Sequence, residues 1–183
     1  MTRLGTTATM LYDFSTGDIV GVRDVDGGDY YFRKAYGVAR SDTEQFLTAN
    51  TATPLEFEVV IKQDYVAIDG SIITVARTGI YQIAINAAIK NAGNADATLE
   101  IWLRRNGSLE PSSRMQVTSL RHAGSSQPTM VATYLWTGQI ASFDSMRVTT
   151  SASTSNVHFH TDSPRASPDR PALPSAFISV TQL

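Results

Sequence analysis

Hydrophobic and polar positions alternate most regularly between residues 79 and 89, where Tyr81, Ile83, Ile85, Ala87 and Ile89 fall on one face and Gln82, Asn86 and Lys90 on the other. A period of two with one apolar side predicts a strand that lays a single face on a core. Ser71-Ile72-Ile73-Thr74-Val75 leads into it, and the turn Asn91-Ala92-Gly93-Asn94 closes it. Comparable segments recur at residues 55–62, 98–105, 114–120, 130–136, 146–151, 156–160 and 175–183. Their even spacing, turns such as Asn106-Gly107-Ser108 and the lack of a convincing amphipathic helix predict an all-β antiparallel sandwich or barrel.

Ahead of these the pattern changes. Residues 6–14, 18–23 and 29–34 read as three short strands punctuated by Ser15-Thr16-Gly17 and by Asp26-Gly27-Gly28, whose glycines suit a tight hairpin. Three strands bury little by themselves, so this reads as a small β arm that docks on something else. Its apolar anchors are Leu11, Tyr12, Phe14, Tyr30, Tyr31 and Phe32. Over residues 37–54 the alternation fades, which predicts a linker with room for one helical turn capped by Ser41 or Asp42. The expected organisation is an arm at 1–36, a linker at 37–54 and a head at 55–183.

Several head strands are apolar on both sides. Along residues 130–136, Val131 and Leu135 share one face while Met130, Tyr134 and Trp136 share the other, and the last strand opposes Phe177 to Ile178 and Val180. Each sheet of a sandwich buries one face within the protomer, so a second apolar face calls for a partner, and association of identical chains is the expected cover. Tyr81, Tyr134, Trp136 and Phe177 are the residues expected at that contact.

Composition narrows the picture. The 183 residues suit one domain with an arm, and a net charge of −2 with 15 scattered basic residues offers no track for nucleic acid. With no cysteine, disulfides, thiolate catalysis and Cys-based zinc sites are excluded. No apolar run nears the ~20 residues of a bilayer-spanning helix, and Met1-Thr2-Arg3-Leu4-Gly5 lacks a signal-peptide core. A soluble chain without nucleic-acid or membrane partners and without a cofactor is expected.

Four segments carry a family resemblance: Ile73-Thr74-Val75-Ala76-Arg77-Thr78-Gly79-Ile80-Tyr81-Gln82-Ile83, then Leu99-Glu100-Ile101-Trp102-Leu103-Arg104-Arg105-Asn106-Gly107, then Tyr134-Leu135-Trp136-Thr137-Gly138-Gln139, and finally Pro174-Ser175-Ala176-Phe177-Ile178-Ser179-Val180. Their order and spacing resemble the jelly-roll heads of tumour necrosis factor and complement component q, although Gln139 stands where that family usually carries an acidic residue. The resemblance covers about the last two thirds of the chain and implies a ten-stranded jelly roll in a homotrimer whose inner sheets meet on a threefold axis. The closing strand and the short arm look like those of bacteriophage virion proteins of this type. That likeness implies a non-enzymatic decoration protein on the capsid surface, bound through the arm to the major capsid protein or another virion protein. A receptor-binding head recognising host surface glycan is the alternative.

Candidate chemistry is sparse. Val157-His158-Phe159-His160 puts both histidines on one strand face. In a trimer such pairs would offer six imidazoles to an axial metal, whereas the plain reading is a solvent-facing strand. Asp24-Val25-Asp26-Gly27-Gly28-Asp29 gathers carboxylates around glycines but lacks the full calcium-loop pattern, so a solvated turn is expected. Three histidines, no Gly-x-Ser-x-Gly elbow, and Glu56, Glu58 and Asp64 as ordinary strand carboxylates give no catalytic constellation. Trp102, beside Glu100 and Arg104, is the candidate for stacking on a sugar, with burial in a subunit interface as the competing explanation. The prolines of residues 162–174 should hold that segment on the surface, outside any sheet.

Overall fold

The computed structural model describes residues 9–12, 19–23, 29–31, 34–119, 129–166 and 169–183, among which every regular element is a strand. The chain divides into two units, Met1–Lys34 and Ala35–Leu183. In the first, β1 (Thr9–Tyr12), β2 (Ile19–Arg23) and β3 (Asp29–Tyr31) pair antiparallel in sequence order. Leu11 and Tyr12 lie in β1, and Tyr30 and Tyr31 in β3. Phe14, Phe32 and most of the Asp24 to Asp29 turn lie outside the described residues.

The second unit begins with β4 (Tyr36–Ser41), β5 (Gln45–Phe46), β6 (Thr53–Pro54), β7 (Val59–Asp64), β8 (Val66–Asp69) and β9 (Ile72–Val75). Its long strands follow: β10 (Gly79–Asn91), β11 (Ala97–Arg105), the short β12 (Ser108–Leu109), β13 (Met115–Ser119), β14 (Met130–Ile140) and β15 (Ser145–Ala152). The chain closes through β16 (Val157–Phe159), the small hairpin of β17 (Arg165–Ala166) and β18 (Asp169–Arg170), and β19 (Ala176–Gln182).

These strands make two sheets. In one, β10 pairs along its length with β14, and its other edge is shared by β19 over residues 81–87 and β16 over residues 89–91. Beyond β19 come β4 and then β7, and β5 flanks β16. The second sheet runs β12-β11-β15-β9-β8, with β13 beside β11 and β6 beside β15. One continuous core lies between them: Tyr81, Ile83, Ile85, Ile178 and Val180 from the first sheet pack with Leu99, Ile101, Leu103, Ile73 and Val148 from the second. The antiparallel all-β sandwich read from the alternation is what the chain forms. The Asn106-Gly107 turn has φ of 49° and 84°, the left-handed pair that a two-residue hairpin demands.

Residues 37–54 depart from expectation. In place of a linker, β4 is inserted between β19 and β7, and in place of a helical turn, Ser41 ends a strand. The inward residues of β4 are Gly37, Ala39 and Ser41, all buried. A Cβ at Gly37 would come within 2.8 Å of Val66 Cγ1, so small residues are what allow β8 to close over this strand. The short β8, also absent from the expected set, supplies that cover with Val66 and Ile68.

Candidate functional site

The Gly-x-Tyr entrance of β10 is an anchoring device. Tyr81 is fully buried and its hydroxyl donates to the Arg77 carbonyl at 2.8 Å. Gly79 leaves room for the Gln182 side chain, whose Nε2 would lie 2.5 Å from an added Cβ and whose Oε1 accepts from the Ala35 amide at 3.1 Å. Strand β14 shows a related device: Trp136 folds over Gly138, where a Cβ would meet the indole Cζ2 at 2.3 Å. Tyr134 donates to the Ser113 carbonyl at 2.7 Å, and burial pushes its phenol well above the ordinary range.

These contacts correct the expected interface. Tyr81, Tyr134 and Trp136 are 0%, 2% and 7% exposed and fill the core of their own protomer. The opposite side of the same sheet is the open one, with Ile80, Val131 and Leu135 exposed by 55%, 60% and 61%. Register places these together: Leu135 stands opposite Ala84 and Val131 opposite Ala88, with Thr133 and Asn86 joined between them by a 2.8 Å hydrogen bond. Phe177, paired with Asn86 on the neighbouring strand, is half-buried on the same outward side. The signal for this face was the small outward Ala84 of β10, which leaves room for a partner to approach, whereas Ala88 is already covered within the protomer.

At the far end of that outward row Lys90 meets a polar cluster. Pairing of β5 with β16 sets Phe46 against His158 and Gln45 against Phe159, which brings Glu44 alongside His160. His160 Nδ1 lies 2.5 Å from Glu44 Oε1 and its Nε2 lies 2.5 Å from Lys90 Nζ. An ammonium only donates, so Nε2 accepts and the ring proton sits on Nδ1, donating to the carboxylate. His158 stacks on Phe46 with centroids 5.0 Å apart and meets His160 edge-on at 5.8 Å. Burial chiefly holds the His158 pKa below its usual value, with the Lys90 ammonium acting in the same sense against the pull of Glu44. The two histidines share a face as the alternation indicated, but at 9% exposure His158 is shut beneath Phe46 and is not solvent-facing.

The second sheet carries a groove of about 380 Å³ lined by Glu100, Trp102, Leu109, Glu110, Ser113 and Arg114. Trp102 is half-buried on the outward side of β11, as its position beside Glu100 implied, and its indole N–H is buried without a hydrogen-bond partner. Arg114 pairs with Glu100 at the rim. Glu58 binds the end of β4: burial tends to raise its carboxyl, but its own backbone hydrogen bond, the Ser41 hydroxyl at 3.2 Å and the Asp42 amide at 2.7 Å hold it below the usual range.

The sequence matches no family model and no curated protein. Its fold is similar to murine APRIL at pH 8.5, with a TM-score of 0.50 and 12% identity over 82% of this chain and 100% of that one. It is similar also to the globular domain of zebrafish complement 1qA protein, with a TM-score of 0.50 and 10% identity over 82% and 98%. At such identities the likeness establishes the fold, a jelly roll of the tumour necrosis factor and complement component q type.

Proposed function

We propose that the chain is a non-catalytic, homotrimeric head of a bacteriophage virion, a decoration protein held on the capsid by residues 1–34. The observation that carries the assembly is the outward face of Ile80, Val131, Leu135 and half-buried Phe177, an apolar surface on a sheet whose other side is already closed. Three protomers burying that face leave the second sheet and its loops outward. The virion reading rests on the resemblance of the closing strand and on an N-terminal unit separate from the head, which suits an anchor used in three copies so that weak contacts add. A chain lacking residues 1–34 should stay folded and trimeric while failing to co-sediment with particles. Deletion must stop there, because β4 belongs to the head sheet. A well-folded monomer from that deletion defeats the trimer, and full particle binding without the arm defeats the anchor.

A second reading, a receptor-binding head for host surface carbohydrate, is favoured by the groove at Trp102, where Arg114, Glu100 and the indole offer a sugar a donor, an acceptor and a stacking surface. Retention of host-cell binding by the chain lacking residues 1–34 supports it over decoration.

A further inference from the structure

We infer that Glu44, His158 and His160 form a binding site for a divalent transition cation of the zinc class, complete within one protomer. The three residues each offer a ligand atom, and these atoms all lie within 4.8 Å of one another. Two imidazoles and a carboxylate are donors that suit Zn²⁺ and its first-row neighbours and discriminate against Ca²⁺ and Mg²⁺, which prefer all-oxygen shells.

The scaffold holds these donors in place before any ion arrives. Backbone pairing of β5 with β16 fixes Glu44 beside His160. Gln45 then clamps β5 to the head: its Nε2 donates to Ser41 Oγ and to the Glu56 carbonyl at 2.9 Å each, and its Oε1 accepts from the Glu56 amide at 2.9 Å. His158 is more than nine-tenths buried, its ring oriented by Phe46 on one side and His160 on the other. Such second-layer support is what keeps metal ligands in register.

Lys90 gives the site a distinguishing property. Its ammonium already occupies His160 Nε2, acting as a cation placeholder. A metal on Nε2 takes that position directly. A metal on Nδ1 forces the ring proton to Nε2, where a nitrogen that now donates can no longer accept from an ammonium. Either way, binding requires Lys90 to withdraw along the outward face of β10, and removing its charge should tighten the site.

The test uses untagged full-length protein stripped with chelator, titrated with Zn²⁺ and, as controls, Mg²⁺ and Ca²⁺, by calorimetry and thermal melting with elemental analysis after desalting. Expected are one zinc per chain, a zinc-dependent rise in melting temperature, and no response to Mg²⁺ or Ca²⁺. Exposed Glu44→Gln and part-buried His160→Gln, each checked for an unchanged circular dichroism spectrum, should lose at least about tenfold in affinity. Lys90→Met should gain roughly tenfold, the scale of removing one nearby like charge from a partly exposed site. Absence of zinc binding, one metal per three chains, or Glu44→Gln and His160→Gln that bind like the parent would each overturn the proposal. Weaker binding by Lys90→Met would overturn the placeholder role.

Discussion

The two faces of β10 are made of different materials. Its inward residues are bulky and wholly enclosed, Tyr81, Ile83, Ile85 and Ile89, whereas its outward row mixes Ile80 with Gln82, Ala84, Asn86 and Ala88 and ends at Lys90. On the partner strand β14 the asymmetry repeats, with Tyr134 and Trp136 inside and Val131 and Leu135 outside. Aromatic size therefore marks the core here, because Gly138 lies under the Trp136 indole and leaves it space within the protomer. Apart from half-buried Phe177 on β19, the face available to a second chain is built from medium aliphatic and small side chains, which can pack flat without anchoring pockets of their own.

Ranked by cost to one protomer, substitutions should separate these faces. Ile85→Ala on the enclosed side should be the most damaging, at about 2–5 kcal/mol by denaturant unfolding, since it leaves a cavity at the centre of the core. Gly138→Ala should cost about 1–3 kcal/mol by displacing Trp136, accompanied by a shift in tryptophan fluorescence. Tyr81→Phe deletes a buried donor to Arg77 and should cost about 1 kcal/mol. Leu135→Glu on the open side should change protomer stability by less than about 0.5 kcal/mol, yet light scattering should show the trimer gone. A variant that unfolds instead means that Leu135 is part of the protomer's own stability and erases the distinction between faces.

The smallest expected effect lies away from both faces. Asp144 accepts from Asn106 Nδ2 at 2.8 Å and from the Ala141 amide at 3.1 Å, and the first of these chiefly holds its carboxyl below the usual range, against the pull of burial. A depressed carboxyl stabilises the fold above its unfolded pKa, and that contribution disappears as pH falls through the folded value. Asp144→Asn should consequently flatten the acid limb below about pH 4, moving the acid midpoint by less than about half a unit.

Legibility followed side-chain size. Strands β10, β11 and β15 were readable because bulky and polar residues alternate along them, β14 and β19 as short runs rich in β-branched and aromatic residues, and the Asn106-Gly107 turn because its backbone requires those residues. Strand β4 was hidden because its buried positions are Gly37, Ala39 and Ser41, which carry no hydrophobic signal and yet sit inside the sheet. The histidine pair was visible as a shared face, but Glu44 and Lys90 reach it only through the pairing of β5 with β16 and of β16 with β10. Long-range register of that kind leaves no trace in local spacing. The choice between the two apolar faces of β14 was equally silent, since both carry residues fit for burial.

Strand β19 lies between β10 and β4, and Ser175 already bonds the Ser41 carbonyl across a separation of 134 residues. During synthesis, β4 and β10 emerge long before the segment that joins them, so each waits with an unsatisfied backbone edge while the ribosome completes the rest. Closure over so long a loop is slow, and the waiting edges are templates for wrong pairing between nascent chains. Premature termination before residue 176 should thus yield an aggregation-prone product in place of a shortened head, so that the fold itself screens out incomplete copies before assembly.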